Sequence, residues 1–435
     1  MKLFQKILVA GASVSLLAPI SAQASDVLNS NSSTLDSSTF TNNHVEDIAN
    51  LKSLVKDLQS KIEELDGLQS KQVQFEAGSF SSTTAMDGKA TMWVGGIDGI
   101  SDIDDDEDGS LADEPTDGVQ TGYTYSMNLN TSFSGDDNLY VRLKGGNNGD
   151  AWSSKPAGYH ISTKDTNHAI NIDKIWYTFP IGESITAFVG PMIENYYMYV
   201  TPSIYKPGAL KAFKLGGNSN FGASTDVGFG FKYQADNGFA IASNVVDKNA
   251  DSTGFFQTDS VSKWDTQFAY TQDRYHLSLT LSNAQNWTSQ LYNATALGEN
   301  TATDSMGYAA RVYWMPEETG TAVPEISVGY DVKVWDDAAV GAVDEAASWM
   351  IGLTWKDIAR PDDRIGIALT QPLKATSIAG GGDTNEVDDP LLWEAYYSFK
   401  YNDYMTITPA VFGGRDAFQQ DDDTFGGVVT TTFKF

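Results

Sequence analysis

The chain has 435 residues, no cysteine and a formal net charge of −29, from 28 Lys and Arg against 57 Asp and Glu. The lack of cysteine excludes a disulfide framework and thiol chemistry. The acidic balance excludes a nucleic-acid partner, which would need a basic stripe.

Residues 1–24 read as a secretory signal peptide. Lys2 and Lys6 supply the charged start, Ile7 to Ile20 the apolar run and Ala22-Gln23-Ala24 a small-residue cleavage site. Pro19 breaks that run, which is too short for a membrane-spanning helix. No other segment approaches the ~18 uninterrupted apolar residues of such a helix, so a membrane crossing by this chain requires a closed barrel. Residues 25–43 form a Ser/Thr/Asn-rich linker, too polar to bury anything.

Residues 44–68 carry a heptad pattern. Ile48, Val55 and Ile62 fall at positions a, and Leu51, Leu58 and Leu65 at positions d, the seam of a coiled coil. Asp47 would face Lys52 of a parallel neighbour, and Lys61 would face Asp66; Leu54 at a g position widens the seam toward three strands. The helix is expected to drive oligomerisation, sharing that work with the rest of the chain because so short a coil is marginal alone. A connector, 69–88, leads into the remainder, 89–435.

That remainder is dominated by period-two alternation of apolar and polar residues. Tyr123, Tyr125, Met127, Leu129 and Phe133 lie on one face, with Thr124, Ser126, Asn128 and Asn130 on the other. Tyr275, Leu277, Leu279 and Leu281 alternate with His276, Ser278 and Thr280 in the same way. Successive strand side chains point to opposite faces, so each such segment has one oily and one wet face. About sixteen of these segments are separated by connections that are alternately short and long, the layout of an outer-membrane barrel with its short turns in the periplasm. Short turns include Gly135 to Asn138, Gly182 to Ser184 and Ala235 to Gly238. Pro409 sits inside one pattern and fits a strand poorly. The last segment places Phe433 and Phe435 on the oily face, as expected of a closing strand recognised by the barrel-assembly machinery.

The fold class expected is therefore all-β: a transmembrane antiparallel barrel preceded by a short coiled-coil helix. With the oily face outward, Arg142, Lys144, Lys232, Lys263, Arg311, Lys333 and Lys400 point inward, as do Asp265, Asp331 and Glu394. A barrel of about sixteen strands leaves an aqueous lumen, so these wall charges would bias which ions pass.

Two long connections carry opposite signs. Asp98 to Asp117 holds ten acidic residues and no basic one. Asp104, Asp106 and Asp108 followed by Gly109 match the first half of a calcium loop, but position twelve is Pro115. A solvated acidic rim with at most loosely held calcium is the expectation, and no other cofactor is implied. The third and longest connection, 193–224, contains Lys206, Lys211 and Lys214 among Tyr205, Phe213 and other aromatics. A loop of that length in a compact domain is functional as a rule; folded into the lumen, it would set a basic constriction.

Chemistry for catalysis is not visible. His44, His160, His168 and His276 show no ligand spacing, and no nucleophile elbow, phosphate-binding glycine loop or paired-acid motif occurs.

The coiled coil running into Gln74 to Ser81 and Met86 to Ala90, the segment Ile175 to Gly182 leading to Phe188 to Pro191, and Gly208 to Phe213 resemble the porins of cyanobacterial outer membranes. That group is similar to the carbohydrate-selective (OprB-type) and iron-uptake porins. The resemblance implies a homotrimeric sixteen-stranded pore in outer-membrane lipid that admits small hydrophilic solutes and inorganic ions. Such porins carry an S-layer homology domain before the coiled coil, where this chain has only the polar linker. No ladder of lumen-facing Trp supports sugar selectivity. The function expected is passive diffusion, mildly anion-preferring, against two alternatives: a channel selective for carbohydrate or iron species, and a structural or receptor barrel with a closed lumen.

Overall fold

In the computed structural model the described residues are 83–98, 118–148, 164–217, 225–287, 304–382, 384, 390–415 and 423–435. The signal peptide, the linker, the heptad from Ile48 to Leu65 and the acidic loop with Asp104, Asp106 and Asp108 lie outside them. Among the described residues, no group of three or more His, Asp or Glu side chains could hold a metal ion.

Sixteen strands follow one another: β1 (Thr84–Asp98), β2 (Gln120–Thr131), β3 (Asn138–Gly146), β4 (Asn171–Ile181), β5 (Ile185–Glu194), β6 (Thr225–Gln234), β7 (Phe239–Asp247), β8 (Ser262–Thr271). They continue as β9 (Tyr275–Gln285), β10 (Ser305–Trp314), β11 (Glu325–Val334), β12 (Val343–Lys356), β13 (Arg364–Ile378), β14 (Leu391–Asn402), β15 (Met405–Arg415) and β16 (Thr424–Lys434). Each pairs antiparallel with its chain neighbours, and β1 pairs with β16, closing the barrel and leaving no free edge. The first strand begins at Thr84, upstream of Lys89.

Burial along β9 is inverted relative to a water-soluble sheet. Tyr275, Leu277 and Leu279 are 46%, 56% and 43% exposed, whereas His276, Ser278 and Thr280 are 1%, 2% and 0% exposed. Oily side chains outside and polar ones inside are what hydrocarbon around the barrel requires. The same parity runs through β16, where Phe425 and Val429 are exposed and Thr424, Val428 and Thr430 are buried.

The tight turns are built from Gly and Asp. Gly135, Gly182 and Gly238 adopt positive φ, which glycine reaches without a Cβ penalty. Asp137 accepts from the Ser132 hydroxyl and from the amides of Phe133 and Ser134, at 2.8, 2.8 and 2.9 Å. The Tyr177 hydroxyl donates to the same carboxylate at 2.6 Å, and with these bonds it holds that carboxyl below the usual range. Asp363 caps the β12–β13 turn similarly, taking the amides of Ile358, Ala359 and Arg360 and the Tyr397 hydroxyl.

Pro409 is accommodated by a gap in the ladder. The β14–β15 pairs run from Leu391↔Arg415 to Tyr396↔Ala410 and resume at Phe399↔Ile407, so no amide is required of Pro409 on that side. Thr408 instead donates its hydroxyl to Ser398, at 2.9 Å.

Candidate functional site

The third long connection leaves β5 after Glu194, makes a 3-10 turn at Asn195–Met198 and a second at Lys211–Gly216. Its ordered part is fixed to inward-facing side chains of strands far apart in the barrel. Near its start, Asn195 Nδ2 and the Tyr199 hydroxyl donate to Asp265 of β8, at 3.1 and 2.8 Å. The Gln267 amide then brackets Val200, accepting from its N–H and donating to its carbonyl at 2.9 and 3.1 Å.

The strongest anchor is Glu394 of β14. Its carboxylate is fully buried and accepts from the Tyr205 hydroxyl (2.8 Å) and from three successive amides: Gly208 (2.9 Å), Ala209 (3.0 Å) and Leu210 (2.8 Å). A buried carboxylate is tolerable only when its charge is answered in this way. Around it, Tyr205, Ala209, Leu210, Ala212 and Phe213 pack against Trp93, Met350, Leu392, Tyr396 and Phe412. Tyr205 and Phe213 are therefore buried between loop and wall, where they hold the loop down.

Arg311 of β10 forms the last anchor. It faces inward, as its parity requires, but lies wholly buried, its Nη2 donating to both oxygens of the Asp331 carboxylate at 3.0 and 2.9 Å while its Nε donates to the Leu215 carbonyl at 2.9 Å. Its charge is neutralised and spent on positioning the loop. Leu215 adopts φ 58° and Gly216 φ 76°, a left-handed corner that lets the loop turn over Arg311.

The three loop lysines divide between two places. Burial first pushes the Lys211 and Lys214 amines down to about 8, helped at Lys211 by Lys144 of β3 and Lys214, and at Lys214 by Lys144 and Arg142 of β3. Lys214 also stands 4.3 Å over the Tyr196 ring and donates to its hydroxyl at 2.8 Å. Arg142 lies against the rings of Tyr140 and Tyr197 at 5.5 and 5.9 Å and donates to Asn128 at 2.9 Å. Lys206 belongs elsewhere: burial and the charges of Arg364, Lys356 and Lys434 lower its amine.

The remaining wall cations differ in how far they are compensated. Lys263 is buried 3.7 Å from Asp265 and 5.0 Å from the Trp287 ring. Lys333 stands 5.5 Å from the Trp335 ring. Lys174 is ion-paired with Glu194 and lies 3.6 Å from Asp173. Lys232 lines a recess of about 280 Å³ with Tyr140, Trp176, Tyr197, Asn138 and Thr178. Lys89, Lys144 and Lys211 form no ion pair among the described residues. Register brings three lysines almost into one row: Lys434 opposes Lys89, Lys89 opposes Ser126, and Ser126 opposes Lys144.

Sequence parity found Arg142 and Lys144 but missed Lys89, Lys434 and Arg364. Lys434 shares the parity of Thr430 and Thr432, so the same rule could have placed it inward. Its pairing with Lys89 depends on closure register, which leaves no mark in the sequence.

Comparison with known proteins agrees with the geometry. The chain is 23% identical over 440 residues to an uncharacterised protein of Nostoc sp., covering 90% of this chain and 72% of that one. It is 23% identical over 433 residues to an uncharacterised protein of Synechocystis sp., covering 89% and 76%. Among solved structures it is similar to OprB of Pseudomonas putida, with a TM-score of 0.55, 13% identity, and 81% of this chain and 94% of that one covered. That likeness is one of fold. Porins of this architecture are channels and not enzymes. Residues 56–435 match the model of the family described as "Carbohydrate-selective porin, OprB family", and the chain belongs to that family of outer-membrane porins.

Proposed function

We propose that the barrel lets small hydrophilic solutes and inorganic ions diffuse passively through its lumen, with a mild preference for anions. The observation that carries this reading is the cationic set at the third loop in a chain of net charge −29: Lys89, Lys144 and Lys211, which make no ion pair among the described residues, joined by Arg142 and Lys214. Fixed positive charge at a narrow, low-dielectric waist raises the local concentration of anions. The basic constriction is made by Lys211 and Lys214 on a loop that Tyr205 and Phe213 hold down, against a wall containing Arg142 and Lys144, with Lys206 of the same loop set apart beside Arg364. In the same reading the protein is a homotrimer joined by its heptad helices, surrounded by outer-membrane lipid and folded by assembly machinery that reads Phe433 and Phe435.

Replacing Lys211 and Lys214 by Gln should move the zero-current potential in a KCl gradient toward the cation side with little change in unit conductance. An unmoved potential would remove these lysines from the selectivity filter.

One observation favours a second reading, a carbohydrate channel. The recess beside Lys232 presents the faces of Tyr140, Trp176 and Tyr197, with Tyr140 and Trp176 ring centroids 4.3 Å apart and Trp176 and Tyr197 5.5 Å apart. Apolar faces with a few polar groups suit a sugar ring. Saturable block of the ion current by glucose would favour it; a current indifferent to glucose would not.

A further inference from the structure

At the foot of the third loop, on the short-turn side of the Glu394 anchor, the inner wall of β1, β16, β15 and β14 contains a second recess of about 160 Å³. Three cations line it: Lys89 from β1, Lys206 from the loop and Arg364 from the start of β13. None of the three makes an ion pair among the described residues, and Lys89 and Lys206 are exposed to the lumen, so a hydrated solute can reach them. Lys434, directly opposite Lys89 in the β1–β16 ladder, adds a fourth positive charge at its edge.

The other polar groups are hydroxyls. Thr91 and Thr432 share a hydrogen bond at 3.3 Å across the closure seam, Thr408 donates to Ser398 at 2.9 Å, and Thr430 lies between these pairs. No carboxylate lines the recess. Of the acids around it, Glu325 pairs through one oxygen with Lys356 at 2.5 Å and also acts on Lys206, Asp87 accepts from Asn128 and Asn130 at 2.6 and 3.1 Å, and Glu394 accepts from its four donors.

Like charges placed opposite one another on neighbouring strands destabilise a sheet. Here Lys89 and Lys434 oppose each other in the β1–β16 ladder, and neither makes an ion pair among the described residues. Burial lowers the Lys206 amine first, and the charges of Arg364, Lys356 and Lys434 lower it further against the opposing pull of Glu325. A bound anion would relieve both.

We propose that this recess is a saturable binding site for a multivalent tetrahedral oxyanion, of which inorganic phosphate is the simplest. Arg364 offers a planar fork of donors, Lys89 and Lys206 contribute point charges, and the Thr and Ser hydroxyls donate to the remaining oxygens. Chloride could not use so many donors. A neutral sugar needs side-chain carboxylate or amide acceptors and an aromatic face, and the recess supplies neither acceptor. The inference rests on the porin reading only in that the recess opens on a water-filled lumen. It makes the channel a concentrator of oxyanions on the short-turn side of its constriction.

The test is equilibrium dialysis of the purified full-length protein in detergent against radiolabelled inorganic phosphate in KCl. The expected result is one saturable site per chain, displaced by sulfate and not by glucose. Arg364→Gln and Lys89→Gln should each raise the half-saturating concentration about tenfold, the loss expected for one charge-assisted contact. Thr432→Val, which leaves every charge in place, should raise it several-fold, with the β-sheet circular dichroism of each variant checked against the native protein. Phosphate uptake that stays linear with concentration, or saturable binding unchanged in all three variants, would overturn the site. Planar-bilayer recordings separate this from the porin reading. An anion-conducting channel with no saturable phosphate binding keeps that reading and rejects the site. Saturable binding in a protein that does not conduct keeps the site and rejects the reading.

Discussion

Glu394 offers the sharpest perturbation of the constriction. Its carboxylate accepts four bonds between 2.8 and 3.0 Å, all from the third loop. Replacing Glu394 by Ala strands the Tyr205 hydroxyl and three amides, and a buried donor left unsatisfied costs about 1–3 kcal/mol. Lumen water can reach part of the vacated space, so the lower end of that range is appropriate. Four donors then give roughly 4 kcal/mol, a shift of about 10³ toward a released loop at 1.4 kcal/mol per tenfold. Glu394→Gln is gentler. Its amide oxygen can serve Tyr205 and Gly208, while its NH₂ confronts the amides of Ala209 and Leu210; two lost bonds give about 2 kcal/mol, or roughly 30-fold. The remaining anchors at Asp265, Gln267 and Arg311 keep the loop tethered, so release should appear as fluctuation of an intact pore. Single-channel recordings should show added open-channel noise and substates, large in the Ala variant and smaller in the Gln variant, with the thermal stability of the barrel little changed. Currents of Glu394→Ala indistinguishable from native in size, noise and voltage threshold would refute the assignment of Glu394 as the loop anchor.

Other consequences follow from the same geometry. Lys211 and Lys214, lowered to about 8, are mostly charged at pH 7 and mostly neutral at pH 9, whereas an ordinary lysine stays charged well beyond that. Anion preference should therefore fall as pH rises through 8, read as the zero-current potential; a potential flat from pH 7 to 9 would contradict the placement of these amines. Arg142→Lys keeps the charge but loses the fork that reaches Asn128 at 2.9 Å and the Tyr197 hydroxyl at 3.2 Å. It should preserve selectivity while increasing current noise, and a loss of selectivity with quiet currents would argue otherwise. Phe435 exchanges backbone bonds with Gly88 at 2.8 and 3.1 Å and stacks on Tyr125 at 5.8 Å. Phe435→Ala should lower the temperature at which the folded band is lost on unboiled gels, by an amount matching about 1 kcal/mol of lost aromatic contact. Gly88→Val should do worse, because a side chain there meets the Phe435 ring; equal stability of both variants to native would place the seam's strength elsewhere.

The strands were legible because hydrocarbon outside and water inside impose opposite demands on alternate residues, as in Leu277 and Ser278 or Phe425 and Thr424. Connection lengths were legible too, since Gly and Asp clusters mark the tight turns. Sequence parity put Glu394, Asp331 and Arg311 inside but could not give their partners, which lie on a loop 96 to 189 residues away or across the β10–β11 pair, whose register the alternation alone does not fix. It therefore could not distinguish Lys211, near Lys144, from Lys206, near Arg364, or separate buried, neutralised Arg311 from Lys144, which makes no ion pair among the described residues. Tyr205 and Phe213 looked like pore-narrowing aromatics because a loop side chain carries no period to show which way it faces. Pro409 looked like a blemish because the ladder gap that tolerates it exists only once β14 and β15 are paired.

A water-filled, anion-leaning lumen has a direct electrical signature. Single-channel recording of the purified protein in a planar bilayer under a KCl gradient should show a large, steady conductance with a zero-current potential displaced to the anion side. A potential displaced to the cation side, or a barrel that passes no current, would contradict it.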